Sequence, residues 1–467
     1  MSRVFVFCIG GTGLRVMKSI TMLLAAGMDA NGYTIVPIPL DPHIDLEEKR
    51  KLNSLMKEYE SVHDAVNDKK GMRLNPLKGF FQTPLVDLAE INGRQNDISE
   101  PISEKRSFGQ YLNIGKLNSS DINMHLVHTL FSQSNLDNEL SVGFKGSPNV
   151  GTVVLGEMIK GADWFTSFCN ACQKDDRIFI ISSIFGGTGA SGYPLLEKKV
   201  RNSMDHPAVK DAVMGAVTVL PYYALEDPST TDSDIDSANF LTKTKSALSY
   251  YERSVLSDYL YYIGEQDLKV TYENNESKQD DKAHFIELVA ATALFDFLHQ
   301  DKPDTTQHMS RSIKENVESL SISTLGDEYK DVVKAIADML LLQRLINLLP
   351  EEKYFPLKKN RGLDQNFYND NEFTTLKEFV GRFTSWYEEL ESNKRAFAPI
   401  SKAGSSAKAR LSNWIKDFSL DAKDESYYLL EMIRESNKDK DTSHDVKIRR
   451  FLDYAYKAIN KYTSKLF

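Results

Sequence analysis

One local pattern constrains the fold of this chain more than any other: three short glycine-rich segments each lead into a predicted helix. They lie at residues 8–13 (Cys-Ile-Gly-Gly-Thr-Gly), 146–151 (Gly-Ser-Pro-Asn-Val-Gly) and 185–192 (Phe-Gly-Gly-Thr-Gly-Ala-Ser-Gly), and the first and third directly follow an apolar, strand-like run. Backbone amides approach an anion closely where no Cβ intervenes, and the first turn of a helix adds a partial positive charge. Together the three segments predict a site for the polyphosphate of a nucleotide.

Strands and helices alternate along the first half of the chain. Apolar runs at residues 4–8, 33–40, 177–184 and 213–220 predict buried strands, and a shorter strand is predicted at 259–264. Between them lie segments whose apolar residues recur at helical spacing, which predict helices at residues 14–26, 46–59, 153–171 and 194–203. This alternation predicts an α/β fold with a Rossmann-like parallel sheet, which binds ligands at the carboxyl ends of its strands.

The length of 467 residues exceeds what one hydrophobic core usually supports, so we expect more than one structural unit. The predicted nucleotide-binding domain covers residues 1–234 and contains a polar insertion at about 66–140. A long core helix is predicted at 235–258, and a mostly helical second domain at 259–467. Helices are predicted in that domain at 283–298, 327–349, 374–391, 407–418, 426–435 and 446–467.

The composition indicates which binding partners and which cellular compartment to expect. The chain carries 57 Lys and Arg against 66 Asp and Glu, a net charge of −9, so nucleic acid is an unlikely partner. No apolar run reaches the length of a membrane span, and the amino-terminal residues are typical of a first buried strand. Of the three cysteines, Cys169 and Cys172 form an isolated pair without a second zinc-ligand pair. We therefore expect a cytoplasmic protein with reduced thiols.

Two common nucleotide motifs are missing from the glycine-rich segments. Residues 8–15 do not have the Gly-x-Gly-x-x-Gly spacing of dinucleotide-binding proteins, which counts against a Rossmann-type oxidoreductase. None of the three segments has the Gly-x-x-x-x-Gly-Lys-Ser/Thr sequence of a P-loop. The predicted phosphate site is therefore of another type.

The third segment resembles the signature of the superfamily of tubulin and its bacterial cell-division homologue FtsZ. In that family an apolar residue precedes two or three glycines and then Thr-Gly-Ser/Thr-Gly, after a buried strand. The first segment is similar to the family's first loop, and the second to the FtsZ loop that closes over the γ-phosphate. The likeness covers residues 1 to about 290 and is closest to divergent prokaryotic tubulin-like proteins. It implies a GTPase domain of the tubulin/FtsZ type, binding GTP or GDP with Mg²⁺.

The resemblance assigns phosphate binding to the glycine-rich segments, with Thr188 and Ser191 adding hydroxyl donors or helping to hold magnesium. Asp41 falls where the family places an acidic residue near the magnesium-bound phosphates, although it could instead cap the following helix. The phosphate-binding candidates are Gly10, Gly11, Thr12, Gly13, Gly146, Ser147, Asn149, Gly186, Gly187, Thr188, Gly189 and Ser191.

Two further candidates concern the base. Asn239 falls where the family contacts the purine edge, with helix capping as the alternative. Arg15 occupies the position of an asparagine that also touches the base in FtsZ-like sequences. Because of that difference the resemblance does not decide between guanine and adenine, and ATP stays open.

The family's hydrolytic loop, Asn-x-Asp-x-x-Asp/Glu, is missing from this sequence. The nearest candidate lies at residues 280–287, where Asp281, His284 and Glu287 are candidate catalytic residues. His284 and Glu287 lie three apart on one helix face, so either could position a water molecule. The alternative is that the charges of this first turn only complement the helix dipole.

Two functions follow from these expectations. The first is a GTP-binding protein that self-associates head to tail into filaments, with any hydrolysis completed at the subunit interface. The second is a non-hydrolysing, nucleotide-dependent scaffold or sensor in a multi-protein bacterial defence or segregation module. In that case the helical carboxy-terminal region would hold another protein.

Overall fold

The structure is a computed structural model that describes most of the chain. The described residues are 2–42, 47–69, 72–73, 77–92, 106–118, 120–144, 146–227, 239–266, 268, 270–272, 282–313, 329–350, 362–400, 425–439 and 446–467. Several sequence predictions fall at least partly outside this set: the role of Asp281, the helix at 407–418, the starts of the helices at 235–258 and 327–349, and parts of the insertion at about 66–140.

A six-stranded, wholly parallel sheet forms the centre of the molecule. Its strands, in chain order, are β1 (Arg3–Ile9), β2 (Thr34–Leu40), β3 (Arg177–Ser183), β4 (Val213–Val219), β5 (Tyr259–Glu265) and β6 (Gln307–Ile313). The spatial order is β6-β5-β4-β3-β1-β2. The α/β architecture with a parallel sheet is thus confirmed, whereas β6 was not predicted.

Beyond β2 the sheet continues as a single parallel bridge. Ile35 donates its amide to the Pro84 carbonyl oxygen at 2.9 Å and accepts from the Val86 amide at 2.9 Å. Four two-residue strands form two further pairs: Asp68–Lys69 with Met72–Arg73, antiparallel, and Ala224–Leu225 with Thr271–Tyr272, parallel.

Helices make up the largest part of the described chain. The longer ones are α1 (Gly10–Ala25), α2 (Glu47–Asn67), α3 (Ile122–Leu130), α4 (Pro148–Lys160), α5 (Asp163–Ala171), α6 (Gly187–Arg201), α7 (Phe240–Ser254), α8 (Phe285–Leu298), α9 (Lys330–Leu348), α10 (Asn371–Ser392), α11 (Glu425–Lys438) and α12 (Lys447–Thr463). Short α-helices are Leu88–Ile91, Phe108–Tyr111, Gln133–Asp137, Pro207–Lys210 and Gln365–Tyr368, with 3-10 turns at Ile114–Lys116 and Leu140–Val142.

Helices cover both faces of the sheet, as its continuous apolar strands require. On one face the rings of Phe5 and Phe7 each lie 5.0 Å from the ring of Phe168 on α5. On the other face the ring of Phe179 in β3 lies 5.2 Å from Phe297 on α8, and α8 packs against α1. Burial on both sides explains why the central strands β1, β3 and β4 carry apolar residues on both faces rather than at alternate positions only.

The predicted long core helix is shorter and more exposed than expected. Within the described residues it is α7, and only Phe240, Thr244 and Tyr251 of its fifteen residues are buried. It connects β4 to β5. The helix that is buried nearly all round is α8, where only two of fourteen residues are not buried. Its apolar composition on every side is typical of a helix inside a core.

The carboxy-terminal helices pack against each other and against α2. Phe379 of α10 lies with its ring 6.1 Å from Tyr59 of α2 and 5.1 Å from Phe81. Farther along, the ring of Phe373 lies 5.3 Å from Phe451 of α12. The remainder of the chain is therefore largely helical, and the domain boundaries remain a prediction. None of the described helices combines the length and the apolar character that crossing a bilayer requires.

Candidate functional site

The three glycine-rich segments meet at the carboxyl edge of the sheet. The first follows β1 and the third follows β3, and these strands are neighbours. Along the chain, β1 is followed by β2 and β3 is followed by β4. In the sheet, β2 lies on one side of the β1–β3 pair and β4 lies on the other. Such a reversal of strand order opens a crevice at the carboxyl ends, where parallel sheets bind their ligands.

The segments approach each other closely at two glycines, Gly10 and Gly187, which have no side chain. Gly10 has a φ of +73°, which favours glycine, and a methyl group placed on it would lie 3.4 Å from Thr188 Cβ. A methyl group on Gly187 would lie 3.2 Å from the amide nitrogens of both Gly146 and Ser147. The third segment therefore touches the other two, and the structure brings all three predicted segments together.

Each segment leads into the first turn of a helix: α1, α4 and α6. The residues that precede these helices, Ile9, Ser147 and Gly186, make no side-chain hydrogen bond to the first-turn amides. None of the three first turns contains an acidic residue. Because the first amides of a helix need an acceptor, three converging, uncapped helix starts form a suitable place for an anion.

The predicted hydroxyl and amide ligands differ in their surroundings. Ser191 is buried, and its Oγ donates to the Gly187 carbonyl oxygen at 2.7 Å, so this hydroxyl is already used inside α6. Thr12 is also buried, whereas Thr188 is partly exposed. Ser147 Oγ accepts from Asn135 Nδ2 at 3.1 Å, and Asn149 Nδ2 donates to Asn135 Oδ1 at 2.9 Å.

A cation that the sequence did not single out lies beside the second segment. Lys243 Nζ of α7 donates to the Gly146 carbonyl oxygen at 2.6 Å. Asn239, the predicted base-reading residue, is exposed at the start of the same helix and makes no side-chain cap. Lys243 follows Asn239 by about one helical turn. Helical spacing therefore could have indicated that the two side chains lie on the same side of α7.

Asp41 directly follows β2, which pairs with β1, so it lies at the same edge of the sheet as the first segment. It borders a small, mostly apolar recess with Ile9 and Trp164. Among the residues that the structure describes, there is no group of three His, Cys, Asp or Glu side chains placed to hold a metal ion. A magnesium ion here would therefore take most of its ligands from phosphate oxygens and water.

Arg15 is held in a buried network on α1, two residues after the end of the first segment. Its Nε donates to Glu287 Oε1 at 2.7 Å, its Nη1 to Glu48 Oε1 at 3.4 Å and its Nη2 to the Tyr222 hydroxyl at 2.9 Å. Tyr222 in turn donates to Glu287 Oε1 at 2.7 Å. Arg15 is only 6% exposed and Glu287 only 1%. The network ties the edge of the sheet that carries the glycine-rich segments to the start of α8.

His284 and Glu287 form the cap of α8. His284 Nδ1 accepts from the Ile286 amide at 3.1 Å, and Glu287 Oε2 accepts from the His284 amide at 3.0 Å. The reciprocal pair is a capping box. Burial, assisted by the positive charges of Arg395 and Arg15, lowers the pKa of His284 to about 3. Since Nδ1 is an acceptor, the neutral ring carries its proton on Nε2.

The network continues from His284 to the carboxy-terminal region. His284 Nε2 lies 3.7 Å from Glu265 Oε2 at the end of β5, and Arg395 donates to Glu265 Oε1. All three side chains are fully buried. Residues from α1, β5, α8 and the segment after α10 thus share one buried set of charges. In this conformation His284 and Glu287 are enclosed by their own chain and do not face a second subunit.

The three cysteines are free and buried. Burial raises the pKa of Cys169 to about 11 and that of Cys172 to about 12, so both remain protonated at neutral pH.

As for relatives, the sequence matches no protein-family model and none of the curated proteins.

Proposed function

We propose that the chain binds a nucleoside triphosphate, GTP in the first instance, with its phosphates among the three glycine-rich segments. The observation that carries the proposal is the convergence of three helix starts without side-chain caps or first-turn acids at a reversal of strand order. Lys243, which donates to the carbonyl of Gly146, supplies a cation beside these amides.

Each group in this site has a defined task. The first-turn amides of α1, α4 and α6 bind phosphate oxygens, and Lys243 offsets part of their charge. Asp41 would contribute a carboxylate to Mg²⁺, and the ion would offset part of the charge of the phosphates. Asn239, exposed at the start of α7, would contact the base.

We further propose that subunits associate head to tail with the nucleotide near the contact. An apolar stripe on the surface of α3 supports an interface on this side. Ile122, Leu126 and Leu130 recur every four residues and are 80%, 54% and 57% exposed. The short helix after α3 carries Asn135, which donates to Ser147 of the second segment. A repeating contact of this type that does not close produces a filament.

The first experiment tests phosphate binding with two substitutions at one position. Gly11 lies in the first turn of α1, and the nearest atom to a methyl group placed there is Glu48 Oε2 at 4.0 Å. Gly11→Ala should leave the affinity for GTP within about threefold, whereas Gly11→Asp puts a carboxylate where phosphate would lie and should weaken it at least about tenfold. Fluorescent nucleotide titration measures both, with thermal unfolding as the check on folding.

Equal affinities of Gly11→Asp and Gly11→Ala would contradict the proposed phosphate position. Parallel titrations with ATP and GTP determine the base. Electron microscopy with GTP, GDP and a slowly hydrolysed analogue tests filament formation. A specific GTPase activity that does not rise with protein concentration would contradict a catalytic site shared between subunits.

The burial of His284 and Glu287 favours a second candidate, a nucleotide-dependent scaffold that binds without hydrolysis. Both side chains are committed to capping α8, and Glu287 also pairs with Arg15 of its own chain. Mass spectrometry of the ligand after long incubation separates the candidates. Intact GTP together with a stable oligomer supports the scaffold, and release of inorganic phosphate supports the hydrolase.

A further inference from the structure

A groove with a volume of about 540 Å³ lies between α6 and α7, beside the start of α4. On α6 its lining residues recur on one face from Ala190 to Lys198, and on α7 they recur from Thr242 to Tyr251. The eight steps from Ala190 to Lys198, at about 1.5 Å each, make the lined part of α6 roughly 12 Å long. The α6–α7 groove is therefore long enough to receive about two turns of a helix.

The walls of this groove are apolar and partly open to solvent. Tyr250, at the rim, is 41% exposed. The other apolar wall residues that are partly exposed are Ala190, Pro194, Leu195 and Ala247. Because apolar side chains that line a groove and stay in contact with water gain free energy when they are covered, these walls favour an apolar occupant.

The charges that line the groove are of one sign. Lys198 Nζ donates to the Tyr250 hydroxyl at 2.5 Å, and Lys243 Nζ donates to the Gly146 carbonyl oxygen, toward the start of α4. Among the described residues that line the groove there is no Asp or Glu. Lys or Arg side chains of an occupant would be repelled, so the groove favours an apolar segment whose own charges are negative.

The exposed stripe on α3 has the matching properties. Ile122, Leu126 and Leu130 also span eight residue steps, roughly 12 Å along the helix. Residues 117–144 contain three acidic residues and no Lys or Arg, and one of these acids, Asp121, caps the start of α3. Length, apolar character and sign of charge therefore agree between the stripe and the groove. Since the stripe is exposed in its own subunit, the groove that it fits is that of another copy.

We propose that the apolar stripe of α3 in one subunit packs into the α6–α7 groove of a second copy of this chain, as a helix lies in a groove. The inference rests on the proposed self-association and adds the surface that receives α3. A contact between two different surfaces repeats from subunit to subunit unless both pairs close on each other. The contact lies near the second glycine-rich segment, which Asn135 after α3 and Lys243 beside the groove both reach.

Cross-linking between two variants tests the contact directly. Leu126→Cys and Ser246→Cys add a thiol on the stripe and in the groove, while the three native cysteines are buried. The two variants are mixed with GTP and treated with a short bismaleimide, in which each maleimide adds one thiol across its double bond. We expect mass spectrometry to find peptides linked between positions 126 and 246. Their yield should be at least about tenfold above that with His128→Cys, which is exposed and lies about 200° around α3 from Leu126.

A groove-filling variant gives a second measurement that leaves α3 unchanged. Ala247→Trp places a large ring between α6 and α7 and should raise the protein concentration needed for assembly at least about tenfold. Ser249→Trp, at an exposed position of α7 outside the groove, should leave that concentration unchanged. Sedimentation measures assembly, and thermal unfolding shows whether both variants fold.

The outcomes separate this contact from the proposed function. Assembly without links between positions 126 and 246, or equal yields with Leu126→Cys and His128→Cys, would overturn the contact and leave self-association in place. Complete absence of assembly would overturn both. A chain with both added cysteines should give a ladder of linked multimers. Links that stop at dimers would uphold the contact between stripe and groove and contradict the head-to-tail filament.

Discussion

Arg15 shows most clearly how single residues connect the edge with the glycine-rich segments to the rest of the molecule. Its guanidinium is nearly enclosed, and it donates to Glu287, Glu48 and Tyr222. A buried charge of this kind is tolerated only where its partners are well placed. The position of α1, and with it the first glycine-rich segment, therefore depends on a residue from α8.

Breaking this pair should destabilise the fold. Glu287→Gln removes the negative charge that faces Arg15 while keeping the size of the side chain. Loss of one partner from a buried pair costs about 3–5 kcal/mol. Because Arg15 keeps its contact with Glu48, we expect the free energy of unfolding to fall by an amount near the lower end of this range. Urea unfolding measures the change. Glu47→Gln is the control, because its pair with Lys51 is exposed and should contribute less than about 1 kcal/mol.

The same variant separates two roles for Glu287. If Glu287 only caps α8 and pairs with Arg15, stability falls whether or not the protein assembles. A variant as stable as the unchanged protein, with lower GTPase activity in assembled samples only, would instead indicate catalysis at a subunit contact.

His284 should make stability depend on pH. Its folded-state pKa of about 3 lies below the value near 6.5 of an unfolded chain, so the fold favours the neutral ring. This contribution is complete above pH 6.5 and is lost as the pH falls toward 3, by up to about 1.4 kcal/mol per pH unit. His284→Asn keeps a helix-capping side chain without titrating, so the free energy of unfolding should depend less on pH over that interval.

Unfolding curves between pH 4 and pH 7 for both proteins test this expectation. His308→Gln, at an exposed position on β6, should retain the pH dependence of the unchanged protein. Equal pH dependence in His284→Asn and the unchanged protein would mean that protonation of His284 is not linked to unfolding.

Local sequence predicted the residues of the glycine-rich segments but not the network behind them. Arg15 and Glu287 are 272 positions apart, and neither helical spacing nor composition indicates that two charges so distant will pair. The resemblance placed Arg15 near the base, whereas the structure shows its guanidinium bound to buried acceptors. Long-range pairs of this kind depend on how the elements pack.

At the scale of elements, the glycine-rich segments are themselves the first turns of helices. Apolar spacing places the starts of α1 and α6 several residues later, because glycine contributes nothing to an apolar pattern. An apolar pattern also fails to indicate β6, because its sequence Gln-His-Met-Ser-Arg-Ser-Ile is mostly polar. This strand lies exposed at the edge of the sheet. The helix predicted at 153–171 is divided at Gly161, which separates α4 from α5.

The contact between the second and third segments should be sensitive to one methyl group. In Gly187→Ala the new Cβ would lie 2.9 Å from Phe144 Cβ and 3.2 Å from two amide nitrogens of the second segment. The segments must separate, so we expect the affinity for GTP to fall at least about tenfold. Gly156→Ala in α4 meets no atom within 4 Å and should leave the affinity unchanged while stabilising the helix by about 0.5–1 kcal/mol.

Nucleotide titration of the two glycine variants, with circular dichroism to confirm folding, checks this prediction. If Gly187→Ala bound GTP as tightly as Gly156→Ala, the spacing between these two segments would not determine the phosphate site. The outcome also bears on the α6 start, since Gly187 is its first residue.

At the scale of the whole molecule, a stable monomer does not require the apolar stripe on α3. None of the nine residues of α3 is buried, so substitutions on its surface should hardly change the stability of the fold. Leu126→Lys places a charge in the middle of the stripe. If α3 lies in the contact between subunits, this variant should form fewer or shorter filaments at a given concentration, because the charge would have to be desolvated.

Sedimentation and electron microscopy in the presence of GTP compare Leu126→Lys with a control on the same helix, Asn123→Lys, which adds the same charge at an exposed position outside the stripe. Both variants should bind GTP and unfold like the unchanged protein, since neither side chain touches the glycine-rich segments in the contacts described above. Reduced assembly in Leu126→Lys alone assigns α3 to the subunit contact. Normal assembly in both would place the contact on another surface and would not bear on nucleotide binding, because the helix starts proposed to bind phosphate belong to a single chain.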